Sequence, residues 1–206
     1  MNDLMSFGLH RIWKEKLISL LEFSKSSLVL DLATGSGDIS KKINDKYGCK
    51  CLALDANMEM LEIAQKKIDS NTPKYICGNA ENLPFKKFIF DYVVVSFGLR
   101  NFNDIPRSLE QIHRVLKKRG TFVCLEFSEV NNPILRNFIK AYLKTIPKLG
   151  LLFANNKFAY DYLVESILNF PNQIQLTKKL ILAGFKTVKV IDIIDGVAAI
   201  HISKKQ

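Results

Sequence analysis

The sequence predicts an α/β fold: a doubly wound, mostly parallel seven-stranded sheet that ends in an antiparallel terminal hairpin strand. Three observations carry that expectation. Short apolar runs alternate with helix-period segments from residue 28 to residue 127. The first run, Leu28-Val-Leu-Asp-Leu32, leads directly into a glycine turn, Gly35-Ser-Gly37, and then into a helical pattern. Near the end, Asp195-Gly196 joins two apolar runs, and Asp-Gly in that setting is the strongest short-range hairpin signal.

Taken in order, residues 9–22 have a helical rhythm, with Ile12, Trp13, Leu17, Leu20 and Leu21 on one apolar stripe. The run 28–32 reads as a buried strand of a parallel sheet, broken only by Asp31. A helix is expected over 39–47 and a second strand over 49–55, ending on Asp55. Asn57 caps a helix over 58–68 that sets Met58, Leu61 and Ala64 on one side. A short strand over 74–77 runs into Gly78-Asn79-Ala80, and 90–96 is a β-branched buried strand bounded by Phe97-Gly98. A helix over 105–116 ends in Lys117, Lys118 and Arg119, which suit the negative end of its dipole, and Gly120 stops it. The fifth strand is expected at 121–127. Residues 132–169 read as mainly helical, punctuated by Pro147 and Gly150, and thus as helices inserted before strand 6. One more helix over 173–183 precedes the hairpin strands 185–193 and 197–203.

A chain of 206 residues can bury a substantial core without metal or disulfide staples. The expectation is a single domain over 1–206, with 1–26 an N-terminal lid and helix and 132–170 a helical insertion on the substrate side. A formal charge of +10 suits an anionic partner, whether nucleic acid, a membrane surface or an acidic substrate, and equally suits a basic protein whose charge only aids solubility. Cys49, Cys51, Cys77 and Cys124 have no metal-ligand spacing and read as buried thiols of a reducing compartment. His10, His113 and His201 are dispersed, so no metal is expected. His113 reads as a helix-surface residue, and His10 as either a lid residue or packing. The sequence shows no secretory signal and no apolar run near the ~20 residues of a membrane-spanning helix.

The chemistry concentrates at the expected carboxyl ends of the strands. Glycines let a backbone approach a ligand where a Cβ would collide, and the following helix offers free N–H groups. Asp55, 24 residues after Asp31, is placed to accept both hydroxyls of a ribose. Asn79 and the Ala80 amide can read an adenine edge. The third glycine that a dinucleotide pyrophosphate requires is absent, because Ile39-Ser40 follows Asp38, which tilts the ligand from NAD towards S-adenosylmethionine. Ser96-Phe-Gly-Leu-Arg-Asn101 follows the fourth strand, so Arg100 and Asn101 are expected to face the crevice; the plain alternative is an arginine paired with a neighbouring acid. No Asn/Asp-Pro-Pro-Tyr/Phe motif of amino-directed nucleic-acid methyltransferases appears. Residues 134–153 combine an apolar face (Ile134, Leu135, Phe138, Ile139, Tyr142, Leu143, Ile146) with Arg136, Lys140, Lys144 and Lys148 opposite, ending in the apolar tip 149–153. That pattern fits a helix on an anionic membrane, an entrance for an apolar substrate, or an ordinary cover helix with a solvated lysine face.

Five parallel strands and a terminal hairpin resemble the class I S-adenosylmethionine-dependent methyltransferases. More specifically, Asn2-Asp-Leu-Met-Ser-Phe-Gly-Leu-His-Arg-Ile-Trp-Lys14, Asn79-Ala-Glu-Asn-Leu-Pro-Phe85, Ser96-Phe-Gly-Leu-Arg-Asn101, Leu125-Glu-Phe127, Tyr160-Asp-Tyr-Leu-Val-Glu-Ser-Ile167, Ala183-Gly-Phe185 and Gly196-Val-Ala-Ala-Ile-His201 resemble the ubiquinone/menaquinone biosynthesis C-methyltransferase family over nearly the whole chain. The resemblance implies transfer of a methyl group from S-adenosylmethionine to a ring carbon of a polyprenylated quinol. It implies cofactor contacts at Ser36, Asp55, Asn79, Ala80 and Ser96, joined here by Asp31, Gly35 and Gly37 from the turn. It places catalysis at Arg100 and Asn101, with Arg100 stabilising a phenolate or orienting a water. Two departures stand out. The family carries some tens of residues ahead of the position of Asn2, so the resemblance implies an N-terminus truncated within the opening motif. Thr34-Gly-Ser-Gly37 replaces the usual Gly-Gly-Thr-Gly, with the Ser36 hydroxyl standing for that of threonine. Competing expectations are an O- or N-methyltransferase of the same fold, a nucleic-acid-binding relative that uses the +10 charge, and a non-catalytic S-adenosylmethionine-binding protein. The favoured reading takes a prenylated quinol as partner, with transient membrane contact through 134–153, a homodimer or quinone-biosynthesis complex, and no nucleic acid. Its expected location is the cytoplasm or the inner face of the membrane, the matrix side in a eukaryote.

Overall fold

The computed structural model describes residues 6, 8–67, 73–154 and 157–206, and the side chains of all of these except 148–154 and 157. One seven-stranded sheet organises them, with strand order β3-β2-β1-β4-β5-β7-β6. The strands are β1 (Leu28–Leu32), β2 (Lys50–Asp55), β3 (Lys74–Cys77), β4 (Phe90–Ser96), β5 (Leu116–Phe127), β6 (Thr187–Ile193) and β7 (Ala198–Lys204). The helices are α1 (His10–Ser19), α2 (Asp38–Tyr47), α3 (Met58–Lys66), α4 (Ile105–Val115), α5 (Pro133–Ala154), α6 (Lys157–Leu168) and α7 (Gln173–Leu182). Strands β1 to β5 pair in parallel, while β7 runs antiparallel between β5 and β6. This is the predicted doubly wound sheet with its terminal hairpin, and Ile194, Asp195 and Gly196 all adopt positive φ in the hairpin turn.

Alternation along the strands builds two cores, one on each face of the sheet. On one face Val29, Cys51, Val94, Val123 and Leu125 meet Trp13 and Leu17 of α1, Ile39 and Ile43 of α2, Leu143 and Ile146 of α5, and Leu163 of α6. On the other face Leu30, Leu54, Val93, Phe122 and Cys124 meet Leu109 and Ile112 of α4 and Leu176 and Leu180 of α7. Caps fix where the helices start. Asn57 Oδ1 accepts from Met60 N at the head of α3, Asp104 accepts from Arg107 N ahead of α4, and Asn172 forms a capping box with Gln175 ahead of α7.

Local patterning misplaced several details. Helix α4 ends at Val115 because Leu116 is extended and fully buried opposite Phe90. Lys117, Lys118 and Arg119 therefore lie in an irregular stretch of β5, where the register jumps from Phe90–Leu116 to Tyr92–Thr121. Gly120 does not stop the helix; a Cβ there would sit 2.9 Å from the Lys117 carbonyl oxygen. The cation at the end of α4 is Lys205 instead, whose Nζ donates to the carbonyls of His113 (2.5 Å) and Leu116 (2.9 Å). On α1, Ile18 replaces the exposed Ile12 on the buried face, and Met58 on α3 is also exposed. Helix α5 continues through Pro147 and Gly150. Cys77 is exposed, whereas the other three thiols are buried as expected. His113 is not a free surface residue, since its ring meets Phe185 edge-on at 5.2 Å and stands 3.1 Å from where a Gly184 Cβ would be. The expected end of α3 at Ile68 lies outside the described residues.

The β1–α2 junction is organised by a buried acid. Asp31 is 1 % exposed, and its Oδ2 accepts from Thr34 Oγ1 at 2.5 Å and from Ser40 N at 2.9 Å. Those two bonds tie the end of β1 to the turn and to the first turn of α2. Burial pushes the Asp31 carboxyl from 3.8 up to about 6, against the pull of Thr34 and Ser40. An acid raised on folding holds more protons folded than unfolded between those two values. Its contribution therefore makes stability fall as pH rises from about 4 to about 6, by on the order of 3 kcal/mol, and level off above. Urea unfolding of Asp31→Asn across pH 4–7 is expected to lack that slope, so the variant gains on the wild type as pH rises.

Candidate active site

The sheet changes winding direction between β1 and β4: the chain proceeds outward to β2 and β3 on one side and to β5 on the other. Ligands of open α/β sheets bind at the carboxyl ends of the strands at such a switch point. A cleft of about 600 Å³ opens there, within the size range of small-molecule sites. Its walls come from the segments after β1, β2, β3 and β4, with α1 at one side. Two non-glycine residues, Ala33 after β1 and Phe97 after β4, take left-handed φ of 56° at its rim. Such strained backbone persists only where the surroundings enforce it. Gly98 shows the tightness of the approach, since a Cβ there would stand 2.5 Å from the Ala33 Cβ.

The structure brings most of the expected cofactor residues into this one cleft. Gly35, Ser36, Asp55, Asn79, Ala80 and Ser96 all line it. Asp55 already braces the turn, as Gly35 N donates to its Oδ2 at 2.8 Å and Asn57 N to its Oδ1 at 2.9 Å. Gly35 takes φ of 56°, and a Cβ there would meet only the tip of Met60. Ser96 Oγ is buried without a hydrogen-bond partner, which is costly unless a ligand supplies one. Two expected residues, Asp31 and Gly37, do not line the cleft. Asp31 lies beneath the turn, its carboxylate held by Thr34 and Ser40. Gly37, at φ 77° ahead of α2, makes room for Tyr75, whose hydroxyl would stand 2.8 Å from a Cβ.

Arg100 and Asn101 form a short 3₁₀ turn, Leu99–Asn101, beside the cleft. The Arg100 guanidinium is mostly buried: Nη1 donates to Glu126 Oε1 at 2.8 Å and to the Phe97 carbonyl at 2.6 Å. Phe127 lies under the guanidinium at 5.7 Å. Burial pushes the Glu126 carboxyl above the usual carboxylate range, while Arg100 and the N–H groups of Phe127 and Arg100 pull it back. Asn101 Oδ1 accepts from the Tyr162 hydroxyl of α6 at 3.4 Å. A second hollow of about 280 Å³, walled by Ile105, Tyr162, Phe170 and Pro171 and by the polar Glu165, Ser166 and Asn169, adjoins the cleft through Arg100.

Sequence reasoning passed over Glu126 as a functional partner, although a lone acid inside the apolar run 121–127 is the signal that could have found it. It left His10 undecided and passed over Lys14, which lines the cleft beside it from α1, and Asp38, which Lys14 meets at 3.2 Å. Among the described residues no cluster of three or more His, Cys, Asp or Glu could hold a metal ion.

Removing one partner of a buried ion pair strands the other charge. Glu126→Ala is accordingly expected to destabilise the fold by about 3–5 kcal/mol in chemical denaturation, and Glu126→Gln by less, since the amide oxygen can still accept from Arg100.

Comparisons with known proteins identify the family. The profile of the ubiE/COQ5 methyltransferase family matches residues 1–205. A protein of Rickettsia prowazekii named ubiquinone/menaquinone biosynthesis C-methyltransferase UbiE is 46 % identical, across the whole of this chain and 86 % of its own length. A protein of the same name from Rickettsia bellii is 45 % identical over the same shares. Among solved structures, the methyltransferase bound to the Haloferax volcanii Trm112 activator superposes with a TM-score of 0.75 over 97 % of this chain and 92 % of its own; at 17 % identity it shows the shared fold. By family profile and full-length identity, the chain belongs to the ubiE/COQ5 methyltransferase family.

Proposed function

We propose that this chain is the C-methyltransferase of ubiquinone/menaquinone biosynthesis, transferring a methyl group from S-adenosylmethionine to a ring carbon of a polyprenylated quinol. One observation carries the reading at the site: a single cleft at the β1/β4 switch point unites the glycine turn, Asp55, Asn79-Ala80, the orphaned Ser96 hydroxyl and Arg100-Asn101. These residues suit a sulfonium nucleoside. In this reading Asp55 takes the ribose hydroxyls, Asn79 and the Ala80 amide take the adenine edge, and Gly35 and Ser36 receive the amino-acid end. The bound cofactor supplies an electrophilic methyl group.

The rest of the task falls to the protein. A quinol ring carbon becomes nucleophilic as its hydroxyl loses proton density. Arg100, preorganised by Glu126 and Phe127, offers positive charge where phenolate character develops. Asn101, aligned by Tyr162, orients the same oxygen. The adjoining hollow, where Ile105, Phe170 and Pro171 share the wall with the polar Glu165, Ser166 and Asn169, gives the prenyl tail a path out beside Arg100 along its apolar side.

Membrane contact belongs to the same proposal, because the prenylated substrate partitions into lipid. Among the described residues no helix is long and apolar enough to cross a membrane. Helix α5 buries Leu143 and Ile146 but leaves Ile134 and Phe138 exposed, at 82 % and 68 %, with Lys140 and Lys144 exposed along the same helix. Apolar side chains flanked by lysines suit the headgroup boundary of an anionic bilayer. The side chains of the apolar tip at 149–153 lie outside the described residues.

Incubation with labelled S-adenosylmethionine and either demethylmenaquinol or a 2-polyprenyl-6-methoxy-1,4-benzoquinol is expected to label the quinone; label in neither overturns the reading. Asp55→Ala is expected to weaken cofactor binding by about 10–100-fold by calorimetry. Arg100→Lys, which keeps a cation for Glu126, is expected to lower kcat by roughly 10²-fold with cofactor affinity nearly unchanged. Lost cofactor affinity with intact turnover would sink that role for Arg100. The double variant Ile134→Glu/Phe138→Glu is expected to lose sedimentation with phosphatidylglycerol vesicles, and unchanged sedimentation refutes this surface.

A further inference from the structure

Helix α1 contributes a buried histidine, His10, to the wall of the cleft. His10 lines the same cavity as Ser96, Arg100 and Asn101. The other two histidines lie elsewhere: His113 is against Phe185 and Gly184, and His201 is buried in β7 within hydrogen-bonding distance (3.2 Å) of the Gln173 carbonyl.

His10 is held in place from more than one side. Ser6 Oγ lies 2.9 Å from its Nδ1 and also accepts from the His10 amide at 3.1 Å. The ring stands edge-on to Phe97, with centroids 6.5 Å apart and planes at 77°. Phe97 in turn contacts Phe127 at 4.9 Å, and the Arg100 guanidinium lies over Phe127 at 5.7 Å. This run of rings joins His10 and Arg100 to one end of the cleft. Backbone strain is concentrated there as well, because Phe97 is one of the rim residues forced to positive φ.

The acids of the cleft have other work. Asp38 is paired with Lys14, Asp55 holds the amides of Gly35 and Asn57, and Glu81 holds the amides of Asn103 and Asp104. Arg100 is a cation already paired to Glu126. An imidazole is the side chain best matched to take and return a proton near neutrality.

We propose that His10 is the general base of the methyl transfer, accepting the hydroxyl proton of the quinol; this rests on the reading of the substrate as a quinol. The O–H bond breaks towards the imidazole, and its electron pair moves through the ring to the attacking carbon. That carbon bonds to the methyl carbon as the methyl–sulfur pair returns to sulfur. The hydrogen on the methylated ring carbon then leaves to water as a proton, which restores the aromatic ring as a quinolate. The imidazolium returns its proton to the quinolate oxygen, so one proton in total passes to water. In this scheme Arg100 steadies the charge that His10 creates.

The test compares wild type with His10→Asn and His10→Gly on the quinol that wild type methylates, with cofactor affinity measured separately. The charged groups that line the cleft, Lys14 on α1, Asp38 on α2, Asp55 on β2, Glu81 after β3 and Arg100 after β4, together with Glu126 paired to Arg100, are unchanged in every variant. Wild type is expected to lose kcat below neutrality along a one-proton limb. His10→Asn is expected to lack that limb and to turn over about 10²–10³-fold more slowly with cofactor affinity retained. His10→Gly is expected to regain rate when free imidazole is added, an effect that a merely structural role would not produce. Turnover of either variant within about threefold of wild type with the acid limb intact overturns the proposal. So does a slow His10→Gly that imidazole fails to restore while it still binds cofactor, and so does loss of the fold in both variants, which would make His10 structural. A wild type that methylates neither quinol overturns the substrate reading, and the base assignment falls with it.

Discussion

The close approach of β1 and β4 is the constraint on which the rest of this structure depends. The two strands are paired in register, Val29 with Tyr92 through Leu32 with Val95, and must then send the chain in opposite directions. Parallel neighbours that diverge leave a crevice, but only if their exits do not collide. Gly98 satisfies that condition against Ala33, and Ala33 and Phe97 bear the strain of turning away at positive φ. The glycine turn, which Asp55 braces through the Gly35 amide, and the Arg100 segment take their positions from those exits.

Two buried acids support the crevice in different ways. Asp31 stands below the turn and is satisfied by neutral donors, so its charge is held at the expense of desolvation. Glu126 has a full cation beside it and lies at the end of a central strand, where it fixes Arg100 against Phe127. The first gives the glycine turn its shape; the second aims a positive charge. An isolated pair of this kind adds little net stability, yet it sets orientation sharply because neither partner can move without exposing the other.

The sequence made much of this legible, and for identifiable reasons. Strand β4 is β-branched, apolar and bounded by glycine, and its expected limits match those observed. Asp55 and Asn79 stand at strand ends, where alternation and turn chemistry agree on their placement. Legibility failed where a distant partner decides. Nothing local distinguishes Asp31 as support from Asp31 as ligand, since Ser40 becomes its neighbour only through the turn. The first strand-like residue of β5, Leu116, continues the helical pattern of α4, and its burial against Phe90 overrides that pattern. Likewise the cation at the end of α4 comes from Lys205, 89 residues beyond Leu116, rather than from the adjacent Lys-Lys-Arg run.

The position of β7 bears on how the molecule comes into being. It follows β6 in sequence yet lies between β6 and β5. On the ribosome, β1 to β5 can associate and close the switch-point crevice while β5 still presents an open edge. Strand β6 pairs with β7 alone, so the β5 edge and β6 are both unsatisfied until β7 is in place. A chain of this design can assemble the half that carries the crevice before its sheet is finished. An unsatisfied central edge invites aggregation, and the docking of β7 between β5 and β6 removes it.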